Sequence, residues 1–184
     1  MGLRSHAVND DYVYFFVSRN DQAQLLVRKK LNAIDNTGIP FEYFSLDKTW
    51  ITGINPQNMD TVYLGFRGTT VTYHPELKQW IMFSDIQFMD NKIKIRTAAE
   101  LTGPWTEEKV IYQIPETTTG TEDYDSTNFC YLPRECSAIF VTDKNELLIT
   151  YDINNKDFSK MTNDIKIYTP KVIKINIKKN NASR

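Results

Sequence analysis

Cysteine and histidine are scarce in this 184-residue chain, which holds only Cys130, Cys136, His6 and His74. Their spacing makes no zinc site. The two thiols read either as a short disulfide across a turn at Pro133 or as two free, buried side chains, the commoner state of such cysteines. No Ser/His/Asp set can be assembled, since His6 falls near the terminus and His74 in a turn. The 7 glycines are scattered, so there is no glycine-rich phosphate loop. No apolar run approaches the roughly 20 residues of a membrane helix. The opening MGLRSHAVNDD has no apolar segment of the kind a secretory signal carries. With a formal net charge of −1, the chain lacks the basic surface of a dedicated nucleic-acid binder. The lysines gathered near the C-terminus (Lys166, Lys171, Lys174, Lys178 and Lys179) fit a solvated edge strand and tail. No metal, cofactor, nucleic acid or membrane is therefore an expected partner.

What is present is strand-forming sequence. The composition holds 10 Tyr, 10 Phe and 3 Trp, and aromatic residues favour strands over helices. The most regular stretch is TTVTYHPELKQWIMFSDIQFMDNKIKIRTAAELTGPW, residues 69–105. Thr70 to Tyr73 alternates β-branched and aromatic residues until His74-Pro75 turns the chain. Trp80 to Ser84 is a second strand, and Lys92 to Thr97 alternates with period two as a half-buried antiparallel strand does. Thr102-Gly103-Pro104 then breaks the chain. Residues 12–18 (YVYFFVS), 23–29 and 41–44 repeat the scheme, and Gln22 to Asn32 suits this repeat better than a competing helix. Tyr14 aligns with Trp80, and Leu147 begins a third copy that continues at Asp164 to Tyr168. A period near 67 residues, with several strands in each, predicts propeller-type repetition.

The expected fold is all-β, one partial β-propeller over residues 1–184 with about three four-stranded antiparallel blades at 12–46, 60–115 and 129–178. First strands are expected at about 68–73 and 135–141, and outer strands near 41–46, 108–114 and 171–177. A two-sheet sandwich is the alternative. The chain starts close to a second-strand equivalent, so N-terminal blades are expected to precede it. Open blades at either end would expose apolar faces and self-associate.

The run from Tyr73 to Trp105, with "V-x-Y-x-P-x-L-x-x-W" followed by "R-T-A … G-P-W", resembles five-bladed propellers related to glycoside hydrolases. Phe129 to Glu135 and Glu146 to Tyr151 resemble the following blade. The group includes relatives of endo-arabinofuranases, and the wider likeness is to arabinanase- and fructosidase-like propellers. It implies a carbohydrate-active, extracellular protein acting on poly- or oligosaccharide, with carboxylates at the narrow end of a channel. It also implies that the catalytic base sits in a blade outside this chain. A non-catalytic carbohydrate- or protein-binding propeller, or an inactive remnant, is the alternative.

The candidate catalytic residue is Glu135, a general acid if partly buried, or else an ion-pair partner of Arg134 or another arginine. In the catalytic role, Glu135→Gln abolishes hydrolysis and leaves melting unchanged. Arg67, Tyr73 and Arg134 are the candidate substrate-binding residues. For Arg67 a structural ion pair, and for Tyr73 packing between blades, is the commoner role of such residues. Asp85 and Asp152 are expected to end equivalent second strands and cap loop amides. Trp80 and Trp105 belong to the core.

Overall fold

The computed structural model describes residues 2–20, 22–65, 67–87, 90–136 and 146–177. Within them nearly every regular element is a strand, and the strands form three antiparallel sheets. In the first sheet, β1 (Gly2–Asn9), β2 (Tyr12–Ser18), β3 (Ala23–Lys30), β4 (Glu42–Phe44) and β5 (Trp50–Thr52) follow in sequence order, and β6 (Tyr63–Leu64) also pairs with β3. The second sheet runs β7 (Gly68–His74), β8 (Gln79–Ser84), β9 (Lys92–Ala98) and β10 (Lys109–Gln113). The third holds β11 (Asn128–Glu135), β12 (Glu146–Asn155) and β13 (Lys171–Asn176). A short helix, α1 (Phe158–Asn163), separates the last two strands, its first turn capped by the Asp157 carboxylate, which accepts from the Ser159 amide at 2.9 Å.

The repeat is real at the level of strands, because the aligned motifs fall on β2, β8 and β12, the second strand of each sheet. Two boundaries differ from expectation. Residues 2–9 form β1 and pair with β2 from Gly2↔Ser18 to Asn9↔Tyr12, so the first unit has its own first strand. In the third unit the first strand is Asn128–Glu135, earlier than the expected 135–141, of which 137–141 lie outside the described residues. The motif at Asp164 to Tyr168 is a turn after α1 rather than a third strand, and β13 pairs directly with β12, leaving this sheet 3-stranded among the described residues. Residues 156–166 are mostly charged or polar, with only Phe158, Met161 and Ile165 apolar, too polar a stretch to bury as a strand.

The order of burial shows how the sheets stack. β8 carries the run WIMF with both faces buried: Trp80 and Met82 pack with Tyr14, Phe16, Leu26 and Trp105 against the first sheet. Ile81 and Phe83 pack with Leu147, Ile149 and Ile153 against the third. The second sheet is therefore the middle layer, and Trp80 and Trp105 are core as expected. The first strands meet along one line, β7 touching both β1 and β11, an arrangement compatible with a partial propeller. At the β1–β7 contact a Cβ on Gly68 would lie 2.8 Å from Met82 Cγ and 3.3 Å from Ser5 Oγ, so only glycine admits this approach.

The outer face of the first sheet is not the open apolar surface expected of a terminal blade. Leu25, Val27 and Tyr43 are buried with Met59, on the segment that follows β5. Asn58 of that segment donates to Tyr43 Oη at 3.1 Å, holding it across the sheet. Cys130 and Cys136 are free thiols, one buried and one half-buried. No helix among the described residues is long and apolar enough to cross a membrane.

Candidate functional site

Glu135 ends β11, and its side chain is 1% exposed. Its carboxylate oxygens lie 3.1 and 3.2 Å from His74 Nε2, the hydrogen bond running to Oε2, while Oε1 has no hydrogen-bond partner. The Glu135 amide donates to Thr70 Oγ1 at 3.1 Å, and Thr69 Oγ1 donates to the Pro133 carbonyl. β7 presents Thr70 and His74 to the third sheet, while Val71 packs with the first sheet and Tyr73 packs on Trp80. The Glu135–His74 pair therefore bridges two sheets from within. Its partner is neither Arg134 nor another arginine but His74, which sits at the end of a strand and is itself buried.

The other sequence candidates do not gather around Glu135. Arg134, its neighbour along β11, is exposed. Tyr73 is 42% exposed and packs on Trp80 across the β7–β8 pair, with ring centroids 5.2 Å apart. Arg67 stands before the first residue of β7 and His74 is its last, so a 7-residue strand of about 20 Å separates them.

Arg67 lines a cleft of about 340 Å³ between the first and second sheets. This cleft opens where β2 and β8 end and β7 begins. Its lining mixes polar and apolar surface: Ser18, Arg19, Gln24, Arg67, Asp85 and Gln87 reach it, beside Ile86. Gln24 is almost fully buried although it sits in the apolar run Ala23–Val27. Ser18 Oγ donates to its Oε1 at 2.7 Å, and its Nε2 donates to the Gly65 carbonyl at 3.1 Å and that of Gln22 at 3.3 Å. The amide thus ties the β2–β3 turn to the segment leading into β7. Next to it, the Asp85 amide donates to the Arg67 carbonyl at 2.8 Å and Arg67 Nε donates to Asp85 Oδ2 at 2.9 Å. Asp85 Oδ1 accepts from the Ile86 amide at 3.0 Å, the loop-capping role expected of it. Asp152, by contrast, lies inside β12 rather than at its end.

One consequence of this bonding is an oriented guanidinium. Only Nε of Arg67 is engaged, and neither Nη group makes a hydrogen bond among the described residues, while the side chain stays 42% exposed. Asp85 fixes the plane, so both Nη groups remain available as donors at the cleft. Beneath the site, the Tyr63 hydroxyl accepts from the Gly68 amide at 3.2 Å, and burial pushes its pKa far above the ordinary phenol value. It stays a neutral anchor for the start of β7. Among the described residues no group of three or more His, Cys, Asp or Glu could hold a metal ion.

Sequence reasoning missed Gln24 and His74. A lone glutamine inside an apolar strand is a legible signal for a buried polar network. Nothing in the sequence joins His74 to Glu135 across 61 positions.

In three dimensions the chain is similar to a crystal structure of a "putative hydrolase" from Bacteroides ovatus ATCC 8483, with a TM-score of 0.63 and 15% identity. The match covers 91% of this chain and 43% of that one, so the chain spans less than half of that structure. At this identity the likeness establishes a shared all-β fold. No curated protein matches the chain in sequence. A family model matches residues 2–177, and the chain belongs to that family, described as a domain of unknown function, DUF5005.

Proposed function

We propose that the chain is the saccharide-recognising part of a carbohydrate-active, hydrolase-like protein that works outside the cell, with the cleft at Arg67 as its binding site. The observation that carries this reading is the oriented, half-exposed guanidinium with two unengaged Nη groups in a cleft that further polar side chains share. A sugar offers hydroxyl oxygens as acceptors and hydroxyl protons as donors. Arg67 supplies the donors, and the Gln87 amide, the Ser18 hydroxyl and Asp85 supply groups that accept. The resemblance of residues 69–105 to glycoside-hydrolase-related propellers favours a carbohydrate substrate, and the hydrolase name carried by the structural neighbour fits a hydrolase-like protein without naming a substrate.

Hydrolysis by paired acids needs two carboxyl groups flanking the scissile bond. Asp85 is the one carboxylate among the described residues of this cleft, and it holds Arg67. Glu135 faces the interior. Recognition is therefore the function assigned to this chain. The test is calorimetric titration with arabino-, xylo- and fructo-oligosaccharides, beside a reducing-end assay on the matching polymers. Arg67→Ala is expected to weaken binding by about tenfold or more, the effect of losing charged hydrogen bonds. Binding that is unchanged in Arg67→Ala removes the cleft from the function. Turnover that depends on Glu135 restores the catalytic reading of that residue.

A further inference from the structure

A second cleft, of about 240 Å³, opens on the third sheet where β11 begins, β12 ends and β13 begins. It lies on the same end of the strands as the first, but shares no residue with it. Its frame is a set of groups that satisfy one another. Glu116 accepts from the Tyr151 hydroxyl at 3.1 Å and lies 3.8 Å from Lys171 Nζ. Asn155, 2% exposed, donates to Asn128 Oδ1 at 2.7 Å, and Asn128 donates to the Glu116 carbonyl at 3.2 Å. Asp125 accepts from the Thr127 amide and hydroxyl and from Lys160. The Lys160 hydrogen bond, with those of Thr127, holds the Asp125 carboxyl well below the ordinary carboxylate range, so the frame stays charged and fixed at neutral pH.

Two further groups line the cleft with side chains that form neither an ion pair nor a hydrogen bond among the described residues, Asp123 and Lys166, whereas Asp164 accepts from the Lys166 amide at 2.9 Å. Of Asp123 and Lys166, one accepts and one donates. The floor is apolar, with Ile153 and Ile167 both buried.

The balance of charge decides the class of ligand. An anion would meet Glu116, Asp123, Asp125 and Asp164, and a cation would meet Lys160, Lys166 and Lys171. With four carboxylates interleaved with three ammonium groups, the opposing charges largely cancel and neither ion gains a strong attraction. A neutral ring with hydroxyls at its edge and an apolar face loses nothing to either set. Its hydroxyls satisfy Asp123 and Lys166, and its apolar face covers the isoleucine floor. A small zwitterion would satisfy the same two charges but place no apolar face on that floor.

We propose that this cleft is a second saccharide-binding site, taking one neutral sugar unit through Asp123 and Lys166. It stands on residues separate from those of the Arg67 cleft, so either site can fail alone. The test is an amide-resolved NMR titration of the whole chain with neutral cello-, xylo- and arabino-pentasaccharides, with glycylglycine as the zwitterionic control. Saturable shifts are expected around residues 123–128 and 153–167. They should weaken by about tenfold in a D123A/K166A variant, the effect of losing hydrogen bonds to charged groups, and persist in Arg67→Ala. Both substituted side chains are exposed, so the variant should keep the native spectrum elsewhere. Shifts confined to the Arg67 cleft overturn this site and leave the first proposal standing. Glycylglycine binding more tightly than every sugar, or no saturable shift in this region, also overturns it.

Discussion

Truncating Glu135 to alanine separates a structural role from a catalytic one. In the fold the carboxylate is 1% exposed and hydrogen-bonded to His74 across the interface of the second and third sheets. A hydrogen bond to a charged group contributes roughly 1.5–3 kcal/mol. Each buried methylene adds roughly 0.8 kcal/mol. Glu135→Ala removes both and leaves the buried His74 nitrogen without its partner, so the expected cost is about 3 kcal/mol. For a chain of this size each kcal/mol shifts the melting temperature by roughly 2–4 °C, which gives a drop of about 6–12 °C. Glu135→Gln keeps the volume and one acceptor and should cost only about 1 kcal/mol. Thermal melts of both variants, of His74→Ala and of the double variant form a cycle. A coupling of about 1 kcal/mol or more is expected for a pair in direct contact. If Glu135→Ala melts within about 2 °C of the parent, the pair does not join the sheets. Loss of hydrolysis at unchanged melting temperature would then favour the general-acid role.

Gly68→Ala places a methyl against Met82 and Ser5 where β1 and β7 touch, and overpacking there should cost about 1–3 kcal/mol in urea unfolding. Parent-like stability would mean that the first strands do not meet so closely. Burial pushes the Cys130 thiol up to about 11, so a disulfide reagent near neutral pH should modify Cys136 first and Cys130 only after unfolding. The same shift has a defined sign. The thiol is held neutral in the fold, so its contribution is complete below the ordinary 9.0 and is lost as pH rises toward about 11. A chain whose stability is flat across that interval would contradict it. Because Met59 covers the outer face of the first sheet, we propose that any self-association uses the third sheet. Light scattering of the parent and of Val172→Lys, which puts charge on that outer face, tests this, since a dimer that survives the substitution rules it out.

Most strands were legible because their signals are local. The alternation in Lys92 to Thr97 and the turn at His74-Pro75 depend only on neighbours, and both survive folding unchanged. The run WIMF announced burial but not the identity of its two partners. Which face meets which sheet follows only once β7 lies between β1 and β11. β1 escaped notice because GLRSHAVN has few aromatic or β-branched residues, and its pairing with β2 stabilises what its own propensity does not. The candidate site was less legible for the same reason. Arg67 could be singled out from sequence, yet its orientation depends on Asp85, 18 positions away. Glu135 could be singled out too, but only packing of the second sheet on the third put a histidine, rather than a substrate channel, in front of it. Sequence by itself determined most of the strands and the repetition of their second members, since those rest on period and turn chemistry. Tertiary structure decided which polar side chains are satisfied and which remain free for a ligand, because satisfaction depends on partners brought together from distant strands.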